Sequence, residues 1–181
     1  MRLLVLSLLS VLGVLGQTAL AQFIETPAEY AVIMDFESGE VLFSKNGETP
    51  MIPASMTKMM TAHVVFDRLE RGEIRLDDTF TVSENAWRKG GWATGGSTMG
   101  LKIGEQVSVE DLLRGVIVLS GNDACIVLAE GLSGSEEAFA RDMTDLARKM
   151  GLSSATFKNA SGLDAEGQRI SAADLARMAQ L

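Results

Sequence analysis

Apolar and polar positions follow one another along the chain with the spacing of two strands and then of helices. Residues 30–36 and 41–45 are rich in β-prone residues and flank the tight-turn sequence Glu37-Ser38-Gly39-Glu40, so they predict an antiparallel hairpin. Between Ser55 and Glu70 apolar residues recur at helical intervals, and Gly72 is a helix-stop residue. A hairpin and a helix are therefore the first predicted elements.

The rest of the pattern is helical, with one polar interruption. Ser108 and Asp111 form a capping pattern ahead of a long apolar stretch, which Ser120-Gly121-Asn122 divides in two. Further helices are predicted over 135–150 and from Ser171 onwards. Two strands followed by helices indicate an α+β fold, and no further strand is predicted. Because a lone two-stranded hairpin is marginally stable, we expect the chain to stop before its domain is complete.

Residues 1–21 have the composition of a secretory signal peptide. Arg2 precedes an apolar run from Leu3 to Leu15, and Ala19-Leu20-Ala21 is a small-x-small cleavage pattern before Gln22. A membrane-anchoring helix is the alternative, but the run is shorter than the roughly 20 apolar residues that a span usually needs. We therefore predict export, with a mature part that is soluble outside the cytoplasm.

Charge and composition exclude several partners and cofactors. The formal net charge of -8 disfavours nucleic acid and anionic lipid as partners. Cys125 is the only cysteine, and its apolar neighbours predict a buried helical thiol. His63 is the only histidine and lies within a helical apolar pattern, which argues against a histidine-based catalytic triad. No cluster of metal-ligating residues is present in the sequence, and we predict neither a metal nor another cofactor.

The most informative chemistry lies in Ser55-Met56-Thr57-Lys58. A hydroxyl and an amine three residues apart at a helix start lie on one face, about 5 to 6 Å apart at Cβ. Serine is a poor nucleophile until a base removes its proton, and lysine serves as that base only when its pKa is lowered from about 10.4. The apolar positions around Lys58 offer the burial that lowers it. Ser55 is thus the candidate nucleophile and Lys58 the candidate base.

Two Ser-x-Asn sequences could supply further polar groups. Ser83-Glu84-Asn85 precedes a short polar stretch in which Ser83 is a natural helix cap, so we interpret it as structural. Ser120-Gly121-Asn122 breaks an apolar helical stretch, where polar groups need partners or a function. Ser120 and Asn122 are therefore the candidates for the same cleft.

Together these motifs resemble the penicillin-binding serine acyltransferases, and most closely the low-molecular-weight penicillin-binding proteins that are D-alanyl-D-alanine carboxypeptidases. The resemblance covers essentially all of the predicted mature chain. The segments that carry it are Pro53-Ala54-Ser55-Met56-Thr57-Lys58, Gly96-Ser97-Thr98-Met99, Ser120-Gly121-Asn122-Asp123-Ala124, Ser161-Gly162-Leu163-Asp164 and Ser171-Ala172-Ala173-Asp174.

The resemblance implies a β-lactamase/DD-peptidase-like fold, an antiparallel sheet flanked by helices, of which residues 22–181 would be the N-terminal part. It also implies that Ser55 attacks the carbonyl of the penultimate D-Ala while Lys58 accepts its proton. Ser120 would relay a proton toward the leaving D-Ala, and Asn122 would hold the substrate amide and help to orient Lys58. Water would then hydrolyse the acyl-enzyme.

The implied partners are peptidoglycan pentapeptide stems and, as covalent inhibitors, β-lactam antibiotics. The implied location is the periplasm or the outer face of the cytoplasmic membrane, with membrane contact only through a C-terminal segment that this sequence lacks. The family's third motif, KTG or KSG on a sheet-edge strand, is also absent from the sequence. We therefore expect the 181-residue chain by itself to lack useful carboxypeptidase activity.

Two alternatives remain open at the level of sequence. A class A-like β-lactamase shares the implied fold, but its usual middle motif is SDN. It also uses a glutamate in an ExxxN sequence to activate the deacylating water, and Glu166 is not followed by asparagine at the fourth place. An exported, non-catalytic binding protein could have kept the fold and lost turnover, and the missing third motif favours this alternative. Labelling by a reporter penicillin separates an acylatable enzyme from a binding module.

Overall fold

The computed structural model describes residues 24–181, so the predicted signal peptide over 1–21 lies outside the described residues. The described part begins with the predicted hairpin. Strand β1 (Ala31–Met34) pairs antiparallel with β2 (Val41–Lys45), and Ile33 lies opposite Phe43. The hairpin predicted from the β-prone runs is thus confirmed.

Six α-helices follow within the described residues, and they confirm the predicted helical stretches. Their bounds are α1 Thr57–Glu70, α2 Glu84–Gly90, α3 Val109–Leu119, α4 Asn122–Ser133, α5 Glu136–Lys149 and α6 Ala172–Gln180. The predicted polar break falls between α3 and α4, where Ser120 ends one helix and Asn122 begins the next. Ser108 caps α3 by accepting a hydrogen bond from the N–H of Asp111 at 3.1 Å.

The expectation that no strand follows the hairpin is wrong. Strand β3 (Pro50–Met51) pairs with β6 (Ile170–Ser171), and β4 (Thr79–Thr81) pairs with β5 (Gln106–Ser108), both antiparallel. Each of these strands is two or three residues long, which is too short for a period-2 pattern to show. Their partners are remote in the sequence, so pairing depends on the tertiary fold.

Helix α4 forms the centre of the core. It packs against α2, α3 and α5, and every residue from Asn122 to Ala129 is buried. A helix that is apolar on all sides is typical of an interior position. Met60 from α1, Leu112 from α3 and Phe139 from α5 complete the cluster around it. The polar break before α4 is therefore held by the most buried element of the described structure.

The predicted structural role of Ser83 generates a stability prediction. The Ser83 hydroxyl accepts a hydrogen bond from the N–H of Ala86 at 2.9 Å and thereby caps α2. Ser83→Ala should lower the free energy of unfolding by about 1 kcal/mol, because a helix N–H loses its partner. Urea unfolding measures the change, with Ser153→Ala at an exposed position as control. Equal stability of the two variants would contradict the cap.

Candidate active site

Ser55 and Lys58 meet where a short 3-10 turn runs into α1. Residues 54–56 form the turn, so Ser55 precedes the α-helix instead of beginning it. Residues three apart in such a turn nearly eclipse one another, which brings the two side chains together. Lys58 Nζ lies 3.3 Å from Ser55 Oγ, within hydrogen-bond distance. The local spacing in the sequence therefore produces the expected hydroxyl–amine pair.

Lys58 is held in a setting that disfavours its charge. Its side chain is 5% exposed, and Nζ donates a hydrogen bond to the main-chain carbonyl of Ser161 at 2.7 Å. Burial lowers the pKa of Lys58 below its ordinary value of 10.5. Burial also raises the pKa of the nearby Cys125 thiol to about 12, so the thiol stays neutral and supplies no compensating negative charge. Cys125 is the buried helical thiol that the sequence predicted.

The loop containing Ser161 is fixed against the start of α1. Thr61 Oγ1 donates to the carbonyl of Ala160 at 2.6 Å, and Asn159 Oδ1 accepts from the N–H of Gly162 at 2.7 Å. Gly162 has a φ of +86°, and a Cβ there would lie 1.9 Å from the carbonyl oxygen of Ala54. This close approach of two main chains aims the Ser161 carbonyl at Lys58. The sequence showed Gly162 only as part of a resemblance and did not reveal this contact.

Ser120 and Asn122 occupy different positions relative to this pair. Ser120 ends α3 in the left-handed conformation with φ +54° and lines the same cleft as Ser55 and Lys58. Asn122 is 6% exposed, and its N–H donates to the carbonyl of Ser97 at 2.9 Å. The structure thus brings Ser120 into the cleft with Ser55 and Lys58, whereas Asn122 is buried and is not among the residues that line the cleft.

The cleft has one polar end and one apolar wall. It encloses about 360 Å³, and its polar end is formed by Ser55, Lys58 and Ser120. The apolar wall comes from α1, α3 and α6 and consists of Met59, Ala62, Phe66, Val116, Ile117, Met178 and Ala179. His63 also borders it and is half-buried, with Nε2 3.0 Å from the Met178 carbonyl oxygen. A nucleophile at the rim of an apolar cleft is a common arrangement for binding and reaction.

Backbone strain is concentrated at the cleft. Three non-glycine residues within 24–181 have a positive φ, and two of them are Ala54, at +47°, and Ser120, at +54°. Such conformations persist where the surrounding packing fixes them, and they occur often at functional sites. Ala54 immediately precedes the candidate nucleophile Ser55, and Ser120 itself lines the cleft.

Two further features concern the described residues as a group. No helix within 24–181 is long and apolar enough to cross a membrane. Over the same range, no group of three or more His, Cys, Asp and Glu side chains is arranged to hold a metal ion. The polar side chains that line the cleft are those of Ser55, Lys58, Ser120 and His63.

Comparison with known proteins agrees with this fold. The sequence model of the D-alanyl-D-alanine carboxypeptidase family matches residues 17–181. D-alanyl-D-alanine carboxypeptidase DacC of Escherichia coli is 46% identical over 162 residues, which cover 87% of this chain and 40% of DacC. DacF of Bacillus subtilis is 40% identical over 153 residues, covering 84% of this chain and 38% of DacF.

A solved structure shares the arrangement of elements. The D-alanyl-D-alanine carboxypeptidase DacD from Francisella tularensis superimposes with a TM-score of 0.81 at 38% identity, covering 87% of this chain and 37% of DacD. The fold is thus that of the DD-peptidases and penicillin-binding proteins, as the motifs implied. The chain belongs to the D-alanyl-D-alanine carboxypeptidase family. It spans about two fifths of the length of the curated relatives it matches.

The close approach at Gly162 generates a prediction with a matched control. Gly162→Ala adds a Cβ against the Ala54 main chain, whereas Gly151→Ala has the same left-handed strain, at φ +79°, and open space around its Cβ. The free energy of unfolding should fall by about 1–2 kcal/mol in both variants because of strain. In Gly162→Ala it should fall by about 1–3 kcal/mol more because of overpacking. Urea unfolding measures both. Equal losses would show that the loop can move away from α1 without cost.

Proposed function

We propose that the gene product containing this chain is a serine-type D-alanyl-D-alanine carboxypeptidase that removes the terminal D-Ala from peptidoglycan pentapeptide stems. The observation that carries the proposal is the contact between Ser55 Oγ and a buried Lys58 Nζ at 3.3 Å. Residues 22–181 are then the N-terminal part of its catalytic domain. The names of the family and of the relatives at 40–46% identity support the substrate class.

In the acylation step, Ser55 is the nucleophile and Lys58 the general base. Ser55 Oγ attacks the carbonyl carbon of the penultimate D-Ala, and its proton passes to Lys58 Nζ. The bond to the nitrogen of the terminal D-Ala then breaks, leaving an ester on Ser55. Water hydrolyses this ester and restores the free serine. A neutral amine is required at the start, and burial of Lys58 favours that state.

The Ser161 carbonyl gives Lys58 a fixed position in both protonation states. A carbonyl oxygen accepts a hydrogen bond from an amine or from an ammonium group. The 2.7 Å contact therefore holds Nζ near Ser55 Oγ before and after proton transfer. Preorganisation of this kind reduces the rearrangement that the reaction requires.

Ser120 and Asn122 act on the other side of the reacting bond. Ser120 passes a proton toward the nitrogen of the leaving D-Ala, and its place in the cleft with Ser55 and Lys58 supports this role. Asn122 holds the substrate amide and helps to orient Lys58. Its burial at the start of α4, two residues after Ser120, supports a fixed amide.

The same chemistry defines the partners and the location. β-Lactam antibiotics acylate Ser55 in place of the peptide and act as covalent inhibitors. The predicted signal peptide over 1–21 directs the protein out of the cytoplasm, to the periplasm or the outer face of the cytoplasmic membrane. The activity requires neither a metal nor another cofactor. Family membership and the SGN sequence disfavour the β-lactamase alternative.

The test of the proposal is covalent labelling of the gene product by a reporter penicillin, together with release of D-Ala from a pentapeptide. Ser55→Ala should abolish both, because the ester can no longer form. Lys58→Arg should be nearly as damaging, since arginine stays charged and cannot act as a base at neutral pH. Ser83→Ala is the control and should retain both activities. Labelling of Ser55→Ala would refute the assignment, and an unlabelled parent protein would favour a non-catalytic binding module.

The lowered pKa of Lys58 predicts the pH dependence of acylation. The rate of labelling should rise with pH as Lys58 loses its proton and should level off above the pKa of Lys58, which lies below 10.5. Labelling rates from neutral to alkaline pH, corrected for spontaneous hydrolysis of the penicillin, measure the profile. A profile without this rise, or with its midpoint at or above 10.5, would show that Lys58 is not the base.

A further inference from the structure

Asp123, the residue after the SGN sequence, is a fully buried carboxylate on which five hydrogen-bond donors converge. Its Oδ1 accepts from the N–H groups of Met99 at 2.8 Å and Ala124 at 2.9 Å. Its Oδ2 accepts from Thr98 Oγ1 at 2.7 Å and from the N–H groups of Gly100 at 2.9 Å and Leu101 at 3.0 Å. Four of the five donors belong to one segment, residues 96–101, which we call the strap.

The strap is also in direct contact with Asn122. The Asn122 N–H donates to the Ser97 carbonyl at 2.9 Å. Gly96 lies so close to the Asn122 side chain that a Cβ at position 96 would be 2.9 Å from Nδ2. The strap therefore touches both the main chain and the amide of the residue proposed to hold substrate.

The opposite side of the same peptide is closed by the end of α2. A Cβ on Gly90 would lie 2.2 Å from the main-chain nitrogen of Asp123 and 2.7 Å from the carbonyl carbon of Asn122. Because main chain meets main chain there, the start of α4 cannot shift toward α2. Asn122 and Asp123 are thus enclosed between Gly90 and the strap.

We infer that Asp123 is a positioning residue for acylation, one that ties the strap to the start of α4 and thereby fixes the Asn122 amide. This inference rests on the proposed function. Asp123 does not touch the substrate, because its carboxylate is fully buried and already accepts five hydrogen bonds. It acts through Asn122, which precedes it.

The chemistry of the contact requires a carboxylate and not an amide. An ionised carboxylate has two acceptor oxygens and no donor, which matches a set made only of donors. In Asp123→Asn, one oxygen becomes an NH₂ group that faces two or three N–H or O–H donors. The substitution changes almost no volume, so it removes hydrogen bonds between residue 123 and the strap without leaving a cavity.

The experiment measures acylation of the gene product by a reporter penicillin in a double-mutant cycle. Asp123→Asn should slow acylation about tenfold or more, since a small misplacement of a positioning group has effects of up to about 10²-fold. In an Asn122→Ala background the same change should have little further effect, because the group that Asp123 positions is already missing. Hydrogen exchange at Met99, Gly100 and Leu101 should become faster.

Asp174→Asn is the matched control for loss of a buried carboxylate. Asp174 is also buried at a helix start and accepts from the N–H and hydroxyl of Ser154, but it does not contact the strap. Asp174→Asn should lower the melting temperature. Its effect on the acylation rate should be the same in the parent protein and in the Asn122→Ala background. Acylation is measured well below all melting temperatures.

The outcomes separate the two proposals. Acylation of Asp123→Asn within about twofold of the parent, or an equal loss in the Asn122→Ala background, would overturn the positioning role and leave the proposed function intact. An unlabelled parent would overturn the proposed function and this role together. A slowed Asp123→Asn with a non-additive cycle and faster exchange in the strap would support the role.

Discussion

The site depends on one buried contact, in which the Lys58 amine lies between the Ser161 carbonyl at 2.7 Å and the Ser55 hydroxyl at 3.3 Å. Without burial the amine would remain protonated at neutral pH, and without the carbonyl its long side chain would have no fixed position. The fold has to satisfy both conditions at once. It does so by pressing the loop that contains Gly162 directly against the turn that precedes α1.

The surrounding packing explains how strained groups stay in place. Ala54 and Ser120 both have positive φ values, which are unfavourable for residues with a Cβ. Each is followed by a strongly buried element, α1 in one case and α4 in the other, and α4 is the centre of the core. Core packing and the main-chain contacts at Gly90 and Gly162 together hold these turns in conformations that an isolated peptide would leave.

The sequence predicted the parts of the site that depend on local spacing. Ser55 and Lys58 are one turn apart, so their meeting follows from helix geometry alone. The interpretation of Ser83-Glu84-Asn85 as structural also followed from local signals. The cap made by Ser83 confirms it.

Contacts between residues far apart in the sequence could not be predicted from local spacing. The Ser161 carbonyl is separated from Lys58 by 103 residues in the sequence. Every residue has a main-chain carbonyl, so the residue types do not show which one accepts a hydrogen bond from Lys58. The two-residue strands β3 and β6 pair with each other and have no strand pattern of their own in the sequence. For Asp123, the sequence gave an acidic residue beside SGN, but its five donors come together only in the folded chain.

Burial of Lys58 also links the protein's conformational stability to proton uptake. In the unfolded chain this lysine has its ordinary pKa, whereas in the folded protein the pKa is lower, so between the two values the unfolded state binds more protons. The free energy of unfolding contributed by this group therefore rises with pH across that interval and is lowest where the lysine is protonated in both states. The protonation state that can activate Ser55 is thus also the one in which the folded chain is more stable, and acidification weakens both through a single group.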